Sequence, residues 1–391
     1  MRAARRERSP EWRLGFAGIS AIAVSFGFAR YGYGLFLPTI RREFDLPMPL
    51  LGVIGSATYL GYVIALVLVG VLATRLGPRP LIITAGVSAA VGMALVATAP
   101  GPTALVAGLI LAGTSSGWVW APYSDAVPRL VPDSRRERLL AALPTGTAFG
   151  TAIAGALALV AADSMWRWAW ALFAAIAVAV TVHNARLLPS GPNPAAAAKP
   201  HLRLRWFLRR PVIPLLGTAL AYGLIGSVYW TFAAELVAAG GANSAAAALF
   251  WTLIGLAGIG GLAAGGTIAR LGLRSTHALL FTALAAALAV LGAAHDLLAA
   301  AGLSALLYGP AFMAVSGLLA VWSYQIFPEA PATGFSAVVL FLGIGTITGP
   351  AAFGGLAEHV GLPTTFLATA LLALLALPLR PLAEAVEVRN R

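Results

Sequence analysis

The sequence predicts an all-α membrane protein of twelve helical spans, built as two six-helix bundles. Three observations carry that prediction. Of 391 residues, 59% are hydrophobic and 10% charged, with a mean hydropathy of +0.86, whereas a soluble domain needs roughly 25% charged residues to wet its surface. The apolar residues fall in runs long enough to cross hydrocarbon, which takes about 20 residues of helix. Finally, the chain repeats itself across a polar break near its middle.

Broken at charged, Pro-rich and Gly-rich punctuation, the chain gives spans at 14–39, 49–73, 80–99, 103–127, 138–161, 165–187, 211–238, 245–269, 276–294, 298–325, 332–357 and 362–380. The residues ahead of the first span, MRAARRERSPEWR, are basic and run into it without a small-residue cleavage site, so it reads as a retained span. Segment 188–210 is the one long polar break. Its first half is Pro-rich, as a linker is, and its second half places Trp206 and Phe207 among arginines, as an amphipathic stretch on a lipid surface does. The expected organisation is therefore a tail at 1–13, a bundle at 14–187, a linker at 188–210, a second bundle at 211–380 and a tail at 381–391. Of the 26 Lys and Arg, all but Arg30, Arg41, Arg42 and Arg167 fall on the side of the amino terminus. By the positive-inside rule both termini are expected in the cytoplasm, on a multi-pass protein of the cytoplasmic (inner) membrane. Trp166, Trp168 and Trp170 open span six and read as an interfacial belt.

Cysteine is absent, which excludes disulfides, thiolate metal sites and cysteine catalysis. No phosphate-binding G-x-x-x-x-G-K-[ST] loop or H-E-x-x-H motif is present, and the G-x-S-x-G string at 113–117 lies inside an apolar span and not on a strand-to-helix elbow, so neither an enzyme nor a cofactor is expected. The net charge of +12 is accounted for by the membrane and calls for no nucleic-acid partner. A monomer in the bilayer is expected.

A shift of 195 residues lays GVLATRLGPR (70–79) over GGTIARLGLR (265–274); a shift of 196 pairs Val131–Pro132–Asp133 with Phe327–Pro328–Glu329. A shift of 199 pairs Gly146 and Gly150 with Gly345 and Gly349. Three matches at equivalent places indicate duplication, and parallel six-span halves imply a mid-membrane cavity between them, served by rocking one half against the other.

Within the first span, FARYGYGLFLP carries Arg30 sixteen residues past the span's start, roughly 24 Å deep at about 1.5 Å per residue. A charge at that depth costs at least about 2.5–3.5 kcal/mol, so it must face the protein interior or a wet cavity. Asp163, Glu235, Asp296 and Glu358 fall near one set of span ends and Asp125 and Glu329 near the other, so no acid is an obvious permanent partner. A planar guanidinium without a carboxylate suits an incoming carboxylate, phosphate or sulfonate. Helical spacing puts Phe26, Gly27, Tyr33, Gly34 and Leu37 on its stripe, with Tyr33 placed to donate to the bound anion. The competing reading is a brace that holds neighbouring helix ends through backbone carbonyls.

Together these features resemble a major facilitator superfamily (MFS) transporter over essentially the whole chain. The family's G-x-x-x-D-R-x-G-R-R loop appears as Gly70, Arg75, Gly77 and Arg79, with Thr74 and Pro78 departing from it, and again as Arg270, Gly272 and Arg274. Asp125 is placed to pair with Arg75 or Arg79, as a structural lock. The span-five glycine motif appears as Gly146, Gly150 and Gly155, and more fully in span eleven as Gly345, Gly349 and Pro350. Small residues at this spacing bring helices close, so they read as packing. The first span is similar to that of the YbfB/YjiJ-like subgroup and of organic-anion symporters, although Ala29 stands where the symporters often have aspartate.

The resemblance implies the MFS fold, with pseudo-two-fold halves around a central cavity and spans three, six, nine and twelve facing lipid. On the lining spans, Tyr59 with Tyr62, Ser116, Trp118, Tyr222, Tyr229 and Tyr308 are the candidate contacts beside Arg30 and Tyr33. Tyr229 is the repeat-mate of Tyr33, and Gly226 that of Arg30. The expected activity is secondary transport of a small organic anion, a carboxylate foremost, by alternating access. A proton is a candidate coupling ion with no residue assigned to it. A gradient-driven exporter of amphiphilic drugs or metabolites is the alternative, and a non-transporting membrane sensor the third reading.

Overall fold

The structure, a computed structural model, describes residues 10–161, 165–191, 210–241, 243–328 and 331–381. Most of both tails, nearly all of the expected linker, Asp163 and Glu329 lie outside the described residues. Among the described residues there is no strand. The first crossing joins α1 (Pro10–Ile22), a π-helical segment (Ala23–Arg30) and α2 (Gly32–Phe44). There follow α3 (Met48–Leu76), α4 (Pro78–Thr98), α5 (Pro102–Leu130), α6 (Asp133–Ala142), α7 (Thr145–Ala161) and α8 (Trp166–Leu187). The second half contains α9 (Val212–Ala239), α10 (Ser244–Gly258), a 3₁₀ turn (Ile259–Ala263), α11 (Ala264–Ala293), α12 (Leu298–Ile326) and α13 (Pro331–Leu375).

Among the described residues ten continuous helical stretches are long and apolar enough to span a membrane, and two of them are double passes. The stretch Ala245–Ala293 has 49 residues, roughly 74 Å if straight at about 1.5 Å per residue, far more than the bilayer core. It folds back at Gly272 (φ 75°, ψ 164°), and α13 does so at Gly361 (φ 79°, ψ 158°). Gly77, the repeat-mate of Gly272, turns the chain with nearly the same backbone (φ 75°, ψ −179°). A side chain is strained at such a φ, so the duplicated loop keeps glycine there.

The repeated glycine pairs also make repeated contacts. Gly146 abuts the Ile19 backbone and Gly150 that of Ala23, while Gly345 abuts Leu220 and Gly349 abuts Leu224. Each pair therefore seats α7 or α13 on the first helix of its own half. The tryptophan belt needs correction. Only Trp168 is exposed, whereas Trp166 and Trp170 are buried, the first donating Nε1–H to Glu43 and the second packed on Phe36 and Phe173.

Thr218, near the start of α9, donates to the Leu379 carbonyl at 2.7 Å. The start of α9 and the last described residues thus share one end of the bundle, here the terminal end; the other is the far end. At the far end the two halves touch backbone to backbone. A Cβ on Gly34 would run into the Trp230 carbonyl, on Gly52 into that of Pro350, on Gly155 into Thr252 and on Gly255 into Ala152. The Ala351 N–H also donates to Ser56 Oγ at 2.9 Å, and Arg41 of α2 pairs with Glu235 of α9 at 2.5 Å. Toward the terminal end both seams splay. Past the contact of Gly258 with Ala148, Leu262 is 58% exposed and a Cβ on Gly266 would meet nothing within 4 Å. Past the contact of Val63 with Gly343, Val67 and Leu340 are exposed.

Candidate substrate site

The backbone widens where Arg30 sits. Tyr31 N–H bonds the Phe26 carbonyl at 3.0 Å, five residues back, instead of four. This π-turn lets Gly27 press on Gly150 without a side chain between them, and such turns gather at functional sites. It also changes which residues share a stripe. The α-helical spacing that aligned Tyr33 with Arg30 does not hold, and Tyr33 donates instead to the Leu51 carbonyl at 2.8 Å. Tyr31, which α-helical spacing turns away, lies beside the guanidinium.

The guanidinium is enclosed by four rings. Its central carbon lies 4.0 Å from the centroid of Tyr62, 4.8 Å from Tyr59, 5.3 Å from Phe26 and 5.7 Å from Tyr31. The residue is 6% exposed, and the Tyr59 and Tyr62 hydroxyls are within hydrogen-bonding reach. Among the described residues no carboxylate pairs with it, and its Nε–H has no acceptor. Aromatic faces stabilise a desolvated cation by about 2 kcal/mol. They do not replace two acceptor oxygens, so a buried hydrogen-bonding group remains unsatisfied.

The second half completes the enclosure. Thr231 reaches the Tyr59 hydroxyl. Tyr31 stacks on Trp230 with centroids 4.1 Å apart, and Trp230 meets Tyr308 and Phe312 edge-on. The indole N–H of Trp230 is buried without a partner. Eight residues nearer the terminal end of α9, Tyr222 packs on Phe312 at 4.8 Å and its hydroxyl bonds Ser316 Oγ at 2.9 Å. Ser316 is exposed, so the cluster borders open space on that side. Gly226, the repeat-mate of Arg30, is covered by the Phe312 ring.

Arg30, Tyr59, Tyr222 and Tyr308 are thus brought into one aromatic cluster. The other expected contacts are engaged elsewhere. Tyr229 stacks on Tyr308 at 3.5 Å, but its hydroxyl bonds Ser304 inside the second half. Ser116 donates to the Gly113 carbonyl of its own helix, and Trp118 packs on a core cluster of the first half that includes Tyr123 and Val119. Tyr31, Trp230 and Phe312 were not among the expected contacts. The signal for Tyr31 was RYGY itself, two tyrosines following a charge beside glycines that permit a change of helical pitch.

Of the loop residues, Asp125 accepts from Arg129 at 2.7 Å, a turn away on its own helix, and Arg79 donates to Ser190. Asp125 thus has a partner within α5, at the i,i+4 spacing where helical side chains meet. Gly265 and Gly266, in the second copy of the loop motif, face open space. Pro350 meets Gly52 and Gly55 of the other half, while Arg270 and Arg274 flank the turn at Gly272.

Residues 22–379 match the family model described as uncharacterised MFS-type transporter YbfB. A gentisate transporter of Corynebacterium glutamicum is 28% identical over 159 residues, which is 39% of this chain and 36% of the relative, so the match spans about a third of that protein's length. A bacterial homologue of the human lysosomal transporter Spinster, solved inward-facing and unoccupied, superposes with a TM-score of 0.76 at 15% identity, covering 100% of this chain and 99% of that one. The human organic anion transporter MFSD10 superposes with a TM-score of 0.67 at 19% identity, covering 95% of this chain and 100% of that one.

Proposed function

We propose, from the premise that this chain belongs to the family of the MFS-type transporter YbfB, that it is a secondary carrier of a small organic anion, a carboxylate, moved by alternating access. One observation carries the reading: Arg30 is buried between the halves among four aromatic rings, with no carboxylate partner among the described residues and with an N–H left unpaired. A carboxylate entering from the terminal end would supply the missing acceptors in a bidentate pair, and the surrounding ring faces would take its apolar body. The relative named as a gentisate transporter agrees with this chemistry.

In this reading the terminal end faces the cytoplasm. Arginines at the far end are the exception, and Arg41 and Arg167 are there offset by Glu235 and Glu43, so the uncompensated positive charge lies at the other end. The protein works as a monomer in the cytoplasmic membrane.

Proteoliposomes containing the purified protein test the proposal. Labelled gentisate and benzoate are taken up by wild type, Arg30→Ala abolishes uptake and Arg30→Lys strongly reduces it, because an ammonium cannot make the planar bidentate pair. Movement of cationic dyes that survives Arg30→Ala, with no carboxylate uptake, would show an exporter instead.

A further inference from the structure

Among the described residues the buried charged side chains are Arg30, Glu235 and, if protonated, His277. Glu235 lies four residues before the end of α9 and is 6% exposed. Its Oε1 accepts from Arg41 Nη1 at 2.5 Å, and Arg41 belongs to α2 in the other half. Its Oε2 is buried and has no hydrogen-bond partner. The pair is lopsided: the Arg41 side chain is 40% exposed and the Glu235 side chain 8%.

Alternating access requires this end to open. When it does, Arg41 leaves with α2, and a carboxylate is stranded on an apolar helix. A buried acid that loses its cation is relieved by taking up a proton. We propose that Glu235 is the proton-coupling residue of the transport cycle. On opening, the carboxylate accepts one proton from the water that enters, Oε2 being the oxygen not engaged by Arg41. As the end closes, the proton leaves Glu235 for water and Arg41 re-forms the ion pair; only that O–H bond is made and broken. Carried with a monocarboxylate at Arg30, one proton makes the step electrically neutral.

The groups that face Glu235 support this assignment. From α2 they are Arg41 and the hydroxyl of Tyr33, which is held by Leu51. The other helices against α9 bring little charge to this level: α10 and α12 contain no charged residue, α13 contains only Glu358 and His359, both exposed, and those of α11 lie at the terminal end. His295 and Asp296 meet the chain at Gly240, beyond the helix end. Besides Arg41, these helices bring one other cation to this level, Arg42 of α2, whose Nε donates to the Pro38 carbonyl of its own helix.

The proposal rests on the alternating-access reading but not on the identity of the passenger at Arg30, and its test needs no substrate. The chain has no cysteine, so spin labels can be placed at Leu50→Cys and Leu297→Cys, exposed far-end positions in opposite halves. Electron–electron distance measurements in nanodiscs are then made across pH. The distance should lengthen as pH falls, stay long at every pH in Glu235→Gln, and respond as in wild type in Arg30→Ala. In Arg41→Met the midpoint should move to higher pH, since no cation opposes protonation. An unresponsive parent, or a response that survives Glu235→Gln, overturns the proposal. If Glu235→Gln does not fold, an unmoved midpoint in Arg41→Met overturns it instead.

Discussion

Arg30 also decides between a site and a brace through stability. If the guanidinium existed to tie helices together, replacing it would loosen the fold. The structure gives it ring faces, two phenolic oxygens and an unpaired Nε, with no fixed carboxylate among the described residues. Replacing a buried ionic group by an apolar one of similar shape is commonly neutral or stabilising by about 1–4 kcal/mol. We predict that Arg30→Met leaves the ligand-free protein as stable as wild type or more so while abolishing carboxylate uptake, as expected where function holds a strained group in place. Thermal unfolding in detergent measures this; a large fall in the midpoint would restore the brace. The rings are separable too. Tyr62→Phe keeps the nearest face and loses one phenolic oxygen, whereas Tyr62→Leu loses both, the face being worth about 2 kcal/mol, so the second should lower stability more.

At the scale of helices, the sequence made the twelve crossings and their duplication readable because both depend on composition and short-range pattern. Gly77 and Gly272 mark equivalent turns, and Gly146, Gly150, Gly345 and Gly349 mark equivalent contacts. The departures arose where tertiary contact overrode local spacing. The π-turn before Tyr31 depends on Gly150 pressing against Ala23 from another helix, so no count along FARYGYG could place Tyr31 at the guanidinium or send Tyr33 to Leu51. The Arg41 and Glu235 pair joins positions 194 residues apart, beyond the reach of pattern. We predict that Gly150→Val, whose Cβ would strike the Ala23 backbone, destabilises the protein by about 1–3 kcal/mol, as overpacking does. Gly266→Ala, on an exposed helical position with open space, should instead gain about 0.5–1 kcal/mol from helix propensity. Parallel unfolding curves check the contrast; equal losses would mean that open space at Gly266 is not what governs it.

At the scale of the whole molecule, the two seams lean the same way. Along α7 and α10 the contacts run from Gly155 with Thr252, through Gly255 with Ala152, to Gly258 with Ala148, beyond which Leu262 is exposed. Along α3 and α13 they run from Gly52 with Pro350 to Val63 with Gly343 before exposed side chains begin. Backbones in direct contact do not stretch, since interiors are close-packed and respond by shifting as units. Opening the far end must therefore press the splayed lengths together, and one helix can report both movements. Ala248, whose carbonyl lies against Gly155 of α7, is 2% exposed, and Leu262, in the turn that follows α10, is 58% exposed. In the cysteine-free chain, Leu262→Cys should react quickly with a water-soluble maleimide and Ala248→Cys slowly. In the Glu235→Gln background, where the far-end ion pair is absent, the order should reverse. Faster labelling at Ala248→Cys with no slowing at Leu262→Cys would mean that the far end loosens locally, and that the halves do not rock as rigid bodies.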